Sequence, residues 1–300
     1  MKSVAEPVLA PGRFRVAARL TDYWELSKPE VTSLVVVSAL VGFYAGARGA
    51  LDLTRLLHTL IGTALVAGGT GAFNQLFERR DDARMRRTAQ RPLPAGRLEP
   101  GAALRFAALL SAGGILWLAW LVNPLAGLLA FLTWASYLFL YTPLKKRTTW
   151  CTAVGAFPGA MPPLIGWAAA RNTLDLQAWA LYAILFLWQF PHFLSIAWMY
   201  REDYARGGIV MLPVVDPGGA ATGRQMVGYS LALVPAGLMP AFLGMAGPVY
   251  FFGALLLSLG FLGFALRAAR THSNLHAKHL LHASVAYLPL LFVLLMLDKR

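Results

Sequence analysis

Hydrophobic residues in this 300-residue chain run in long unbroken blocks; they neither alternate nor recur on one helical face only. Nine such blocks lie near 31–47, 56–77, 102–122, 125–142, 152–170, 177–199, 225–246, 248–266 and 280–297. Each approaches the roughly 20 residues that a helix needs to cross about 30 Å of hydrocarbon. In lipid the backbone must satisfy its own hydrogen bonds, so these blocks predict helices. The expectation is an all-α, polytopic membrane protein with about nine transmembrane helices in one bundle. The long polar connections, 78–101, 143–151, 200–224 and 267–279, fall on one side, while 123–124 and the turn at Gly247 and Pro248 are minimal. Chemistry is therefore expected on the side of the long loops.

Composition agrees: 57% of residues are hydrophobic, 14% are charged and the mean hydropathy is +0.55. That excludes an ordinary soluble domain, in which about a quarter of residues are charged. A net charge of +13 would raise nucleic acid as a partner, but the basic residues follow the membrane instead. With the N-terminus inside, all but Arg48, Arg55, Arg171, Lys299 and Arg300 of the 27 Lys and Arg fall on the cytoplasmic side. This is the positive-inside pattern. It predicts N-in, C-out topology and a cytoplasm-facing active site. Residues 1–21 carry no readable chemistry and no signal-peptide pattern, so they are expected to stay as a flexible or surface-lying segment ahead of one transmembrane domain, 22–300. The single cysteine, Cys151, excludes an internal disulfide, and no Cys-x-x-Cys-His stands ready to attach heme covalently.

The polar residues that interrupt the pattern carry the chemistry. Asn74, Glu78 and Asp82 continue the second span at i, i+4, i+8. On a helix each step advances only about 40°, which puts three oxygen-bearing side chains on one face. Carboxylates four apart repel unless a cation sits against them, and Mg²⁺ takes one or two carboxylates plus phosphate oxygens. Spacing alone leaves open a plain solvated helix end with Asp82 paired to Arg86. Arg84, Arg86, Arg87 and Arg91 follow at once and suit phosphate, or else anionic lipid. Lys145, Lys146 and Arg147 after Tyr141-Thr142 form a weaker basic set of the same kind. A second constellation runs from Trp188 and Gln189 through Pro191 and His192 to Glu202 and Asp203. An intramembrane histidine is read as functional, the bland alternative being a bond to a neighbouring span. Asp203 either completes a cation site opposite Asp82 or pairs with Arg206. His272, His276 and His279 read as interfacial side chains, and Gly68-Gly69-Thr70-Gly71 as close helix packing.

From Asn74 to Leu98 the chain resembles the first aspartate-rich motif of the intramembrane aromatic prenyltransferases. Glu78-Arg79, Asp82, Met85, Arg87-Thr88 and Arg91-Pro92-Leu93-Pro94 with Gly96 resemble the heme O synthase (protoheme IX farnesyltransferase) family in particular. So do Leu26 to Glu30, Tyr141-Thr142 with Lys146-Arg147-Thr148, Gly159 to Trp167, Trp188-Gln189, Pro191-His192-Phe193, Asp203-Tyr204 and Met211-Leu212-Pro213. The resemblance spans roughly 22–295. It implies farnesyl transfer from farnesyl diphosphate to a vinyl group of protoheme IX. It also implies Mg²⁺ on Asn74, Glu78, Asp82 and Asp203, diphosphate on Arg87, Arg91, Lys146 and Arg147, and a heme site including His192, Trp188 and Gln189. Heme is then a substrate and not a fixed cofactor, with oxidase assembly or heme-handling proteins downstream. Two departures stand out. The second motif has adjacent Glu202 and Asp203 in place of acids four apart, and Asp81 adds a carboxylate beside Asp82. A sister enzyme acting on a quinone precursor or chlorophyllide should show the spaced acidic pair. A secondary transporter should hold its polar groups at the midplane, and a heme electron carrier needs paired intramembrane histidines.

Overall fold

The computed structural model describes residues 20–300; most of the segment expected to be flexible or surface-lying, residues 1–19, lies outside the described residues. All regular structure among the described residues is helical, apart from an isolated bridge between Ala246 and Lys299. The helices are α1 (Pro29–Gly46), α2 (Leu53–Asp82), α3 (Pro100–Leu121) and α4 (Pro124–Ala135), the last continuing through a π-helical turn, Ser136–Tyr141, into Thr142–Leu144. They are followed by α5 (Cys151–Gly159), α6 (Pro162–Arg171), α7 (Leu176–Met199), α8 (Arg201–Arg206), α9 (Leu212–Val215), α10 (Ala220–Phe242), α11 (Pro248–Thr271) and α12 (Asn274–Leu297).

Eight helices among the described residues are long and apolar enough to cross a membrane: α1, α2, α3, α4 with its continuation, α7, α10, α11 and α12. The remaining expected span, 152–170, is instead two shorter helices in series, α5 and α6. Pro162 and Pro163 have no N–H to carry the ladder across the break, yet proline is well suited to the first turn of the helix that follows. Starts elsewhere follow the same logic. Proline opens α1, α3, α4 and α11, while Asp52, Asn123 and Ser273 accept backbone N–H bonds at the starts of α2, α4 and α12.

Large apolar side chains cover the outside, with Leu109, Trp120, Leu256 and Leu297 all 74% exposed or more. On a soluble protein such a surface would aggregate; facing lipid it is the solvated state. Inside, small residues let backbones meet. Gly69 of the glycine-rich run lies against Ser111 of α3, as expected, and Gly42 and Gly166 bring α1 and α6 into backbone contact. A Cβ on Gly166 would run into the Ala39 carbonyl, whereas one on Gly260 of α11 would meet nothing within 4 Å. Gly166→Val is therefore expected to cost about 3 kcal/mol of stability by overpacking. Gly260→Ala should be neutral or slightly stabilising, since alanine favours a helix. Thermal unfolding of the two variants in detergent checks the pair.

The element that positions the site is α2. Its 30 residues extend about 45 Å, some 15 Å more than the hydrocarbon needs. The last turns, carrying Asn74 to Asp82, thus reach the membrane surface while remaining packed by neighbours.

Candidate active site

Asn74, Glu78 and Asp82 do line one face of α2, and all are buried. Each rung meets a basic side chain from a different part of the chain. Lys28 Nζ donates to Asn74 Oδ1 at 2.6 Å, Lys145 Nζ to Glu78 Oε1 at 2.6 Å, and Arg91 to Asp82 Oδ2 at 2.8 Å. The neighbouring Asp81 binds Lys146 at 2.6 Å. Asp82 does not pair with Arg86, and the solvated-helix-end alternative does not hold.

Lys28 was not among the residues singled out for the site, and Lys145 was read only as part of a weaker basic set with Lys146 and Arg147. Lys28 stands before Pro29 in a left-handed conformation (φ 50°), and its stem lies across Gly71. Burial, then the positive charges of Arg91 and Lys145, pull its ammonium pKa down to about 7, against the pull of Glu78 and Asp82. For Lys145 burial acts the same way, but Glu78 outweighs it and holds the amine well above its ordinary range. Its ammonium also lies 4.5 Å from the centre of the Tyr141 ring, a cation–π contact. The π-helical turn carries Tyr141 to that place. Lys145 was legible only as one of three basic residues in a row.

Asp203 comes to the same region by another route. Its carboxylate accepts the backbone N–H groups of Arg86 and Arg87, both at 3.3 Å, and pairs with Arg206. Of the two alternatives for Asp203, the Arg206 pair is present, and a second role appears: it fastens the turn that leads from the ladder to Arg91. Thr88 Oγ1 ties the same turn to the Asp82 carbonyl at 2.9 Å. Arg87 lies over the Tyr200 and Tyr204 rings. Exposed Arg147 makes no side-chain bond among the described residues.

Among the described residues no three His, Cys, Asp or Glu side chains converge to cage an ion. The expected set of Glu78, Asp82 and Asp203 with Asn74 is therefore not one closed protein shell here, because Asp203 is committed to Arg86, Arg87 and Arg206. What remains still fits Mg²⁺. Buried Asp82 Oδ1 has no hydrogen-bond partner, so one carboxylate oxygen is left free beside Glu78, and Mg²⁺ needs only one or two carboxylates when phosphates and water complete it. A cavity of about 330 Å³ adjoins this end, lined by Glu78, Asp81, Lys145 and Lys146 together with Phe77, Leu138 and Phe139. A lining that combines charged and apolar side chains suits an anion with an apolar tail.

The second constellation does not gather as one surface. Trp188 and His192 face α12, where Trp188 Nε1 donates to the Ser284 carbonyl at 2.9 Å and His192 Nδ1 lies 2.7 Å from Ser284 Oγ. Gln189 points to α5, donating to the Ala156 carbonyl at 3.2 Å over Gly159. His276 bonds Thr271 and Ser273 at the helix start, in line with an interfacial role for that histidine set.

The UbiA prenyltransferase family model matches residues 35–291. Protoheme IX farnesyltransferase of Solibacter usitatus is 54% identical over 291 residues, covering 93% of this chain and 99% of that one. Its counterpart from Salinibacter ruber is 49% identical over 279 residues, with coverage of 93% and 99%. Among solved structures, one of digeranylgeranylglyceryl phosphate synthase superposes with a TM-score of 0.78 at 17% identity, covering 93% of this chain and 98% of that one. A UbiA homolog from Archaeoglobus fulgidus bound to GPP and Mg²⁺ gives 0.63 at 15% identity, covering 91% and 99%. At these identities the two structures establish a shared fold.

Proposed function

This chain belongs to the UbiA prenyltransferase family, and from that premise we propose that it transfers a farnesyl group from farnesyl diphosphate to a vinyl group of protoheme IX, giving heme O and diphosphate. The observation that carries the chemistry is the buried ladder of α2 with a basic side chain on every rung. Buried carboxylates and ammonium groups are costly unless paired, and here the pairs also form a site that a diphosphate and its metal can enter by exchanging partners.

Asn74, Glu78 and Asp82 would hold Mg²⁺ together with the diphosphate, where it supplies Lewis-acid stabilisation of the leaving group. Lys28, Arg91, Lys145 and Lys146 then meet the remaining phosphate oxygens, with Arg87 and Arg147 at the exposed rim. Asp203 keeps Arg87 and Arg91 in place by holding the turn between them and the ladder. Positioned cations that meet charge as it develops are usually the largest catalytic term. The allylic C–O bond breaks with its electron pair leaving on diphosphate. The vinyl π electrons attack the prenyl carbon, and water adds to the resulting cation with loss of a proton, leaving a hydroxyethylfarnesyl side chain.

The topology we propose is N-terminus cytoplasmic and C-terminus outside, in a bacterial inner membrane, with product passing to heme-handling or oxidase assembly proteins. Acceptor choice tests the reading. Membranes containing the protein and farnesyl diphosphate are offered heme b or a phenolic acceptor in parallel. Farnesylation of heme b alone supports it. Farnesylation of the phenol with heme b untouched leaves a prenyltransferase with a different acceptor.

A further inference from the structure

Two of the three basic side chains on the ladder belong to segments that meet at a residue outside the site. Lys28 follows a helical segment, 20–26, that precedes α1, and Arg91 opens the turn 91–98. That turn is tight. The Ala95 N–H donates to the Arg91 carbonyl at 3.0 Å, and those of Arg97 and Leu98 both donate to the Pro92 carbonyl, at 2.8 and 3.1 Å, with Gly96 at φ 70°. Arg97 then reaches the helical segment. Its Nη1 lies 2.9 Å from Asp22 Oδ1, and its Nη2 donates to Glu25 Oε2 at 2.6 Å and to the Gln90 carbonyl at 3.0 Å. Isolated exposed ion pairs contribute little, but the Asp22 side chain is only 7% exposed, and one guanidinium fork here serves two carboxylates as a network.

Helical segments draw most of their stability from tertiary contacts, so what fastens 20–26 decides where Lys28 stands. On α2, buried Gln75 donates to the Glu25 and Leu26 carbonyls, both at 3.1 Å, and Gly68 and Gly71 let Ser27 and Lys28 lie against the helix. Arg97 supplies the second fastening, to the side chains of Asp22 and Glu25. The turn it comes from is already held at its start by Arg91 on Asp82, so Arg97 ties the helical segment to a fixed point. We infer that Arg97 is a positioning residue for the diphosphate site, acting through Lys28 by fastening the segment that sets this lysine on Asn74. The inference rests on the proposed diphosphate site and goes beyond it, because it gives a part in substrate affinity to a side chain whose bonds all lie off the ladder and to a segment ahead of the first span.

Calorimetric titration of the purified protein in detergent with inorganic diphosphate and Mg²⁺ reads the site without an acceptor. Arg97→Ala is expected to weaken diphosphate about 10-fold, since a binding group is costly to misplace even by a remote change. That variant leaves the Asp22 charge unpaired, so Arg97→Ala with Asp22→Asn is measured beside it; the pair should regain thermal stability and bind diphosphate as weakly as Arg97→Ala. In a Lys28→Ala background, Arg97→Ala should add less than about twofold, because a residue that acts through Lys28 then has nothing left to position. In turnover, Arg97→Ala should raise the KM for farnesyl diphosphate and leave that for heme b within about twofold, whereas a general loss of structure raises both. Unchanged diphosphate affinity in Arg97→Ala, affinity that returns with stability in the double variant, losses that add in full to those of Lys28→Ala, or an equal rise in both KM values would each overturn the inference and leave the diphosphate site standing. Wild type that takes up no diphosphate with Mg²⁺ overturns the site and the inference together.

Discussion

Asp82→Asn is expected to reduce farnesyl transfer by about 10²- to 10³-fold, the cost of removing one preorganised electrostatic group from a transition state. The substitution is close to isosteric. Asparagine can still accept from Arg91, and the Thr88 bond is to the backbone carbonyl of residue 82, so the turn stays in place. What is lost is the charge on a carboxylate that is 1% exposed and has one oxygen unpartnered. The matched control is Glu202→Gln, an exposed acid beside Asp203 with no partner among the described residues, which should stay within about twofold of wild type. Initial rates of product formation at saturating Mg²⁺ check both. Similar losses in the two variants would mean that bulk negative charge matters and the ladder does not.

Lys145→Met carries the second large effect, and it separates stability from activity. Lys145 and Glu78 are 13% and 10% exposed as side chains and bond at 2.6 Å. Removing one partner strands the other's charge and is expected to destabilise the substrate-free protein by about 3 kcal/mol. Adding Glu78→Gln removes the stranded charge and should restore most of that stability. The double variant should nevertheless be as inactive as either single one, because both groups act on the diphosphate and its metal. Thermal unfolding gives the first result and turnover the second. If activity returned with stability, the pair would be structural only.

Much of this arrangement is legible in the chain because its physics is local. Apolar blocks near 20 residues long mark the spans, and Asn74, Glu78 and Asp82 announce a common face through helical period alone. The break between α5 and α6 was written in Pro162 and Pro163, yet a hydrophobic block reads as continuous whether or not its backbone is. The partners of the ladder were another matter. Lys28 is 46 residues from Asn74, and Lys145 is 67 from Glu78. Their meeting depends on how α1, α2 and α4 pack, which no periodicity encodes. The π-helical turn that places Tyr141 beside Lys145 likewise has no sequence period of its own. Asp203 was recognisable as an acid near the site, but its bonds to the backbone of Arg86 and Arg87 are invisible to side-chain patterns. The Ser284 contact of His192 comes from α12, 92 residues away.

The most direct test of the central claim is product analysis. Membranes containing the protein are incubated with heme b, farnesyl diphosphate and Mg²⁺, and the extracted hemes are resolved by chromatography and mass spectrometry, with Glu78→Gln and Asp82→Asn alongside. The account predicts a new farnesylated, hydrated heme that vanishes with EDTA and falls by at least about 10²-fold in both variants. Heme product that persists undiminished in EDTA and in both variants would contradict it, since the ladder would then have no part in cleaving the diphosphate.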